Sequence, residues 1–256
     1  MATETRVTAG LVVIGDEILS GRTKDVNIGA VADFCTDLGV DLTEVRVVSD
    51  DMDAIVEAIN ALRARYTYVF TTGGIGPTHD DITADAVARA FGVALPINAQ
   101  ARAMLESRWK QTGTEVNEAR LRMARIPEGA DLIVNSVSAA PGFRIGNVHV
   151  MAGVPIIMRA MLEALAPTLK GSRKVLSVTV RAAVGEGTVG GPLAALQAEF
   201  PDVKMGSYPQ MGSGRVMTEL VLRSADEGRL AEAAEKVRAM VAAAHAKAGV
   251  IAPDAE

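Results

Sequence analysis

Residues Tyr68-Val69-Phe70-Thr71-Thr72-Gly73-Gly74-Ile75-Gly76-Pro77-Thr78-His79-Asp80-Asp81-Ile82-Thr83 pass from a short strand-like run, through a glycine-rich bend, into a helical pattern. Residues 68–72 predict a strand, and residues 82–91 a helix stopped by Gly92. Upstream, residues 9–14 form a continuous apolar run ending at Gly15, as a parallel strand buried on both faces would. Ile28, Val31, Cys35 and Leu38 then recur at helical spacing, with Gly39 placed as a C-cap. Residues 42–48 read as a second strand, and Ile55, Ile59 and Leu62 mark a second helix. Strands alternating with helices of this length imply right-handed βαβ units and a parallel sheet. Ligands on such sheets bind beyond the carboxyl ends of the strands. Three polar clusters fall there: Gly15-Asp16-Glu17, Ser49-Asp50-Asp51, and the bend from Gly73 to Asp81.

Glycines let a backbone approach a ligand closely. A strand, a glycine bend and a helix start in succession make an anion cradle, because unpaired amides and the positive end of the helix dipole face the ligand. The bend lacks the Gly-Lys-Ser/Thr ending of a P-loop, and its glycine spacing is not that of a dinucleotide fingerprint. In place of a lysine it supplies Asp80 and Asp81. Carboxylates beside a phosphate repel it, and a divalent cation removes the conflict. The pattern therefore predicts a metal–phosphate site. Neighbouring residues at a helix start point in different directions, so one aspartate is expected on the metal and the other on the helix cap or the loop. Thr78 and Thr83 offer hydroxyl donors, or Thr83 caps the helix. The bland alternative for the acidic pair is a solvated N-cap.

Further along, residues 98–112 predict a helix carrying Trp109, residues 132–134 and 148–151 two short strands, and residues 135–143 a turn-rich loop between them. Residues 155–165 predict a helix opened by Pro155. The pattern changes near Gly171. Strands at 175–183, 203–208 and 215–222, with helices at 191–200 and 226–246, suggest a small α+β domain of βαββα order, packed beside the first. The tail from Ala252 is expected to fray.

Of the 256 residues, 49% are hydrophobic and 4% aromatic, so aliphatic side chains must fill the core. The net charge of −5 argues against a nucleic-acid partner held by phosphate neutralisation, though not against a nucleotide. A single cysteine, Cys35, rules out an internal disulfide framework and fits a reducing compartment. The run Leu11-Val12-Val13-Ile14 is too short to span a bilayer, and the start of the chain does not resemble a signal peptide. The expectation is a cytoplasmic protein without a membrane partner. Cys35 sits on an apolar helix face and reads as core; the three histidines show no metal-ligand spacing, and His149 reads as structural.

Residues 73–83 resemble the GGxGPTxDDxT signature of the molybdopterin-binding (MoaB/Mog) domain. That domain also occurs in competence/damage-inducible protein A (CinA) and in the N-terminal half of FAD synthases. Val13-Ile14-Gly15-Asp16-Glu17-Ile18-Leu19-Ser20-Gly21, with Asn27, is similar to the opening of the CinA and FAD-synthase branch. Ala140-Pro141-Gly142-Phe143 and Gly153-Val154-Pro155 are similar to its later elements. Residues 200–209 resemble a segment that follows the domain in FAD synthases. The chain departs from the pattern at Ala152, where the branch usually has proline, and at Met123, where many CinA proteins have glutamine. The nicotinamide-mononucleotide deamidase activity of long CinA proteins, carried by a further domain, is not implied.

The resemblance implies a three-layer αβα fold with a mostly parallel sheet over residues 6–170, and the smaller domain over 172–250. It implies a pterin or nucleotide ligand and metal-dependent pyrophosphate cleavage, of ADP-ribose in CinA and of FAD in the FAD-synthase branch. The alternatives are adenylyl transfer to molybdopterin, and a non-catalytic molybdopterin or nucleotide carrier. By position, Asp50 and Asp81 would be catalytic and hold Mg²⁺ or Co²⁺, with Asp16 and Glu17 as metal partners. Gly73, Gly74, Gly76, Pro77, Thr78 and Ser136 would contact phosphate or nucleotide, joined by Gly15, Asp80, Thr83, Pro141 and Gly142. Asp51 reads as a helix cap, and Asn27 as either a cap or a site residue. Relatives form dimers or trimers, so a homo-oligomer is expected.

Overall fold

A computed structural model describes residues 6–172, 175–210 and 217–249. Arg215, Val216 and the tail from Ala252 lie outside the described residues. The chain divides into two compact units at the junction of residues 172 and 173.

In the first unit the apolar run forms β1 (Thr8–Ile14), followed by a single turn, α1 (Asp16–Leu19), and by α2 (Asn27–Leu38). Then come β2 (Asp41–Val48), α3 (Met52–Arg63), β3 (Tyr68–Thr72), α4 (Thr83–Phe91), α5 (Ala99–Thr112) and the short α6 (Glu118–Leu121). Strands β4 (Asp131–Ile133), β5 (Gly142–Ile145) and β6 (Val148–Met151) precede α7 (Pro155–Leu165). The six strands make one sheet in the order β2-β1-β3-β6-β5-β4. Strands β2, β1, β3 and β6 run parallel, whereas β5 is antiparallel to both β6 and β4.

Alternation along β1 sends Val12 and Ile14 to one face and Leu11 and Val13 to the other. The first face is covered by Ile55, Ile59 and Leu62 of α3, Val87 of α4 and Leu105 and Trp109 of α5. The second is covered by Val31 and Cys35 of α2 and Met158, Met161 and Leu165 of α7. This is the expected three-layer αβα arrangement. Burial pushes the Cys35 thiol up to about 12, so it packs as a small neutral side chain. His149 is buried against Phe70, with ring centroids 5.4 Å apart, and burial lowers its pKa to about 4; it is a neutral core ring.

Strand β5 is the element the sequence reading missed. Its first two residues close the turn-rich segment, and the strand pairs with β6 through the two-residue connection Gly146-Asn147, where Gly146 has φ 57°. The Asn147 amide clamps that turn to the end of α3, donating to the carbonyls of Arg63 and Tyr66 at 3.0 and 2.9 Å.

The second unit comprises β7 (Leu176–Ala182), α8 (Glu186–Glu199), β8 (Lys204–Gln210), β9 (Met217–Ser224) and α9 (Glu227–Ala248). Its antiparallel sheet has the order β7-β9-β8. Val180, Leu220 and Leu222 pack on Val189 and Leu193 of α8 and on Leu230 and Val237 of α9. Helix α8 starts five residues before the expected Gly191, and Pro192 lies inside it. Gly190-Gly191-Pro192 reads locally as a breaker, but burial of Val189 and Leu193 on either side outweighs that preference. Among the described residues, no helix is long and apolar enough to cross a membrane.

Helix α3 shows how a loop carboxylate sets a boundary: Asp51 accepts from the amides of Asp53 and Ala54 at 3.1 and 2.9 Å. Replacing Asp51 with alanine removes this cap. Thermal denaturation should show a loss of about 1 kcal/mol, or roughly 2–4 °C in melting temperature.

Candidate functional site

The carboxyl ends of the four parallel strands lie along one sheet edge. There β2 delivers Asp50, β1 delivers Gly15, Asp16 and Glu17, β3 delivers the glycine bend, and β6 delivers Gly153. The strand order departs on opposite sides of β1, towards β2 and towards β3, which is where open α/β sheets form a ligand crevice.

Close backbone packing draws these ends together. Gly15 donates to Val48 O at 3.1 Å and Gly73 donates to Met151 O at 3.2 Å. Gly73 has φ 103°, and a Cβ on it would meet Ile14 O at 2.1 Å. At Gly74, φ is 65° and a Cβ would fall 2.2 Å from Thr83 Oγ1. Thr83 is fully buried: its hydroxyl donates to Gly73 O at 2.9 Å, and its amide donates to Gly74 O at 3.0 Å. Thr83 therefore fastens the bend to the start of α4. The expected ligand contact and the expected N-cap role are both corrected, since Ile82 occupies the cap position.

The acidic pair divides its work. Asp81 turns into its own bend, where Oδ2 accepts from the Thr78 amide at 2.8 Å and from the Thr78 hydroxyl at 2.5 Å. The Thr78 hydroxyl is thereby committed to Asp81, which corrects the expected phosphate contact. Asp80 is exposed, and its charge is felt by Asp50. The Asp50 carboxyl is half-buried and accepts from the Asp16 amide at 2.9 Å. Burial raises its pKa first, and the neighbouring charges of Asp16, Glu17 and Asp80 add to the rise, against the lowering effect of that hydrogen bond. Of the two loop aspartates, Asp80 is the one whose charge acts on Asp50. Asp81 borders a different space. Among the described residues, no three His, Cys, Asp or Glu side chains converge on a point that could hold a metal ion.

That space is a shallow, open cleft floored by Gly74, Ile75 and Gly76 and walled by Asp81, Arg122 and Pro141. The amides of Gly74, Ile75 and Gly76 donate to nothing among the described residues. Two arginines stand here that the sequence reading passed over. Arg125 is ion-paired with Asp85. Arg122 is anchored by its Nη2, which donates to Asp81 O at 3.3 Å, while its buried Nε has no partner among the described residues. Their three-residue spacing across a tight helical turn was the available signal. That segment had been weighed only for its departure at Met123.

The remaining expected residues separate. Pro141 lines the cleft and Pro77 sits half-buried on the bend. Gly142 is buried inside β5, where a Cβ would meet Val150 O at 2.2 Å, so it serves strand packing and not the ligand. Gly15 is buried and holds the β1–β2 junction. Ser136 is exposed and borders neither this cleft nor the second one described below. Its neighbour Asn135 organises that loop, accepting from the Val137 and Ser138 amides and donating to Ala140 O.

Residues 10–171 match the family described as "Probable molybdopterin binding domain", and residues 174–248 match "FAD synthase, middle domain". A CinA-like protein of Desulfosudis oleivorans is 34% identical over 209 residues, covering 77% of this chain and 51% of that protein. The chain thus spans about half the length of that relative. A protein of Thermococcus kodakarensis is 32% identical over 239 residues, 89% of this chain and 94% of its own. A crystal structure of the protein CinA, with unknown function, from Thermoplasma acidophilum superposes with a TM-score of 0.59 at 34% identity, covering 64% of this chain and 98% of that one. Sheet order, glycine bend and sequence agree: the chain belongs to the molybdopterin-binding domain family and is CinA-like.

Proposed function

We propose that the first unit is a metal-dependent nucleotide pyrophosphatase acting on a substrate of the ADP-ribose or FAD class. The observation that carries this reading is the pairing, along one sheet edge, of an amide-lined cleft bearing Arg122 with a raised carboxylate. The Gly74–Gly76 amides and Arg122 suit the non-bridging oxygens of a diphosphate. Asp50, held above the ordinary aspartate range, suits proton acceptance from an attacking water. The water oxygen bonds to one phosphorus, the bridging P–O bond breaks, and two phosphate monoesters leave.

The donor set fits a hard divalent cation such as Mg²⁺ or Co²⁺. Asp16, Glu17, Asp50 and Asp80 gather negative charge that has raised Asp50, and a cation would relieve it. Mg²⁺ takes only one or two carboxylates when substrate phosphates and waters fill its other positions, so a complete protein cage is not required. When bound, the ion would supply charge neutralisation and an acidified water. Asp50 with Asp80 would hold it in place of the expected bridge between Asp50 and Asp81, which leaves Asp81 to shape the bend.

The family description also supports a second reading, a molybdopterin site used for adenylyl transfer or for carriage. Incubation with ADP-ribose, FAD and ATP plus Mg²⁺ or Co²⁺ separates them. AMP release from ADP-ribose or FAD supports hydrolysis, diphosphate release from ATP that needs added pterin supports transfer, and tight binding without turnover supports carriage.

Two variants test the division of labour. Asp50→Asn should lower kcat for ADP-ribose about 100-fold. Because the folded pKa is raised, the Asp50 charge destabilises the fold wherever that carboxyl is ionised. Asp50→Asn should therefore raise the melting temperature by about 1–2 °C at pH 7. The gain should disappear as pH falls through the raised pKa and below the ordinary aspartate value of about 4, where the wild-type group is also neutral. Arg122→Met should leave the melting temperature nearly unchanged and weaken ADP-ribose binding about 10-fold by calorimetry, one charge-assisted hydrogen bond being worth about 1.5–3 kcal/mol.

A further inference from the structure

A second cleft opens at the same sheet edge between the carboxyl ends of β1 and β3 and the starts of α2 and α7. It is lined by Thr72, Asn27, Glu17 and Lys24, with apolar walls from Ile18 and Pro155. Two of these polar groups are buried without a partner. Thr72 is 1% exposed and Asn27 6% exposed, and neither Thr72 Oγ1 nor Asn27 Oδ1 has a hydrogen-bond partner among the described residues. The Asn27 amide nitrogen donates to Gly153 O at 2.7 Å, which orients the side chain and leaves its acceptor oxygen unpaired among the described residues. A buried polar atom left unpaired is a standing penalty that a ligand removes on binding. Apolar walls with a few converging polar groups are what a small-molecule pocket presents.

The two clefts flank one strand end. Thr72, the last residue of β3, lines the second, while Gly74, Ile75 and Gly76, two to four residues on, floor the first. Gly153 adjoins the bend closely enough that a Cβ on it would lie 3.2 Å from Gly73 Cα. We infer that the Asn27–Thr72 cleft is a nucleoside subsite: it takes the organic end of a nucleotide whose diphosphate lies on the Gly74–Gly76 amides. Asn27 Oδ1 demands a donor from that end, an N–H of the base or an O–H of the ribose. Thr72 Oγ1 donates or accepts beside it, and the ring lies along Ile18 and Pro155. This assignment rests on the nucleotide reading above and says where the nucleoside sits. It also predicts that inorganic pyrophosphate, which has no such end, is indifferent to this cleft.

Thr72→Val is the probe, because it keeps the shape of the side chain and removes an oxygen that has no protein partner. Calorimetric titration without divalent metal, to prevent turnover, would compare wild type, Thr72→Val and Thr72→Ser with ADP-ribose, FAD, ribose 5-phosphate and pyrophosphate. The expected result is that Thr72→Val melts no lower than wild type, binds pyrophosphate equally, and binds ADP-ribose or FAD about 5- to 10-fold more weakly, while Thr72→Ser keeps most of the affinity. A loss shared by ribose 5-phosphate places ribose at the hydroxyl; a loss confined to base-bearing ligands places the base there, and both support the subsite. Equal binding of ADP-ribose and FAD by wild type and Thr72→Val overturns the subsite while leaving the pyrophosphatase reading intact. So does an equal loss for pyrophosphate, or a lowered melting temperature, since either makes the hydroxyl structural. A wild-type chain that binds pyrophosphate but neither nucleotide overturns both.

Discussion

The constraint on which the site depends is the approach of Gly73 to the Ile14 carbonyl. Any Cβ there would lie 2.1 Å from that oxygen, far inside van der Waals contact, and φ 103° is a conformation that other residues rarely adopt. Because the clash is with backbone, no side-chain rotation relieves it. Gly153 closes on Gly73 from the β6 side. Three neighbouring strands thus converge more tightly beyond their last paired residues than side chains would allow. Thr83 then locks the bend from behind through two consecutive carbonyls. Everything functional at this edge, from the Asp50 carboxylate to the free amides of the bend, inherits its position from that convergence.

Such a site is held against its own electrostatics. Asp50 sits half-buried among the charges of Asp16, Glu17 and Asp80, with one backbone hydrogen bond in compensation. The Arg122 Nε and the side-chain oxygens of Asn27 and Thr72 are buried and unpaired. Each of these features opposes folding, and the αβα core makes them tolerable, with both faces of the central strands sealed by aliphatic side chains. Local departures from good packing and pairing gather where a ligand would repair them.

How much of this is legible in the sequence depends on whether the signal is local. Apolar runs ending in glycine identify β1 and β3, whose residues are buried on both faces, and helical spacing of apolar residues identifies α2 to α4, with glycine stops after α2 and α4. The βαββα order of the second unit is equally readable. Strand β5 is hidden because four residues following Pro141 resemble a turn until β6 pairs with them. The start of α8 is hidden because tertiary burial overrides Gly190-Gly191-Pro192. The bend reads correctly as a strand-to-helix turn drawn tight by glycines, but the hydrogen bonding of its residues is not legible. Thr78, Asp81 and Thr83 look like ligand contacts by residue type, yet they spend their hydrogen bonds on one another and on the loop backbone. Thr72 gains importance only from what fails to pair with it among the described residues, a property no spacing encodes.

The charge problem posed by the sequence changes form in the structure. An acidic bend without a lysine seems to require a cation before a diphosphate can approach. The fold answers in two places: Arg122 brings a fixed positive charge to the amide side, and the carboxylates gather on the β1–β2 side, near Asp50. Arg122 thus stands on one flank of the strand ends, beside Asp81, and Asp50 with its neighbouring carboxylates on the other. A diphosphate laid across such an edge meets donors on one flank. On the other it meets carboxylates that want a cation or a proton, so the field along the edge is polarised before any ligand arrives. Free amides and Arg122 suit a phosphate, and a raised aspartate on the other flank suits proton acceptance, so the edge carries the groups that the proposed pyrophosphatase would need.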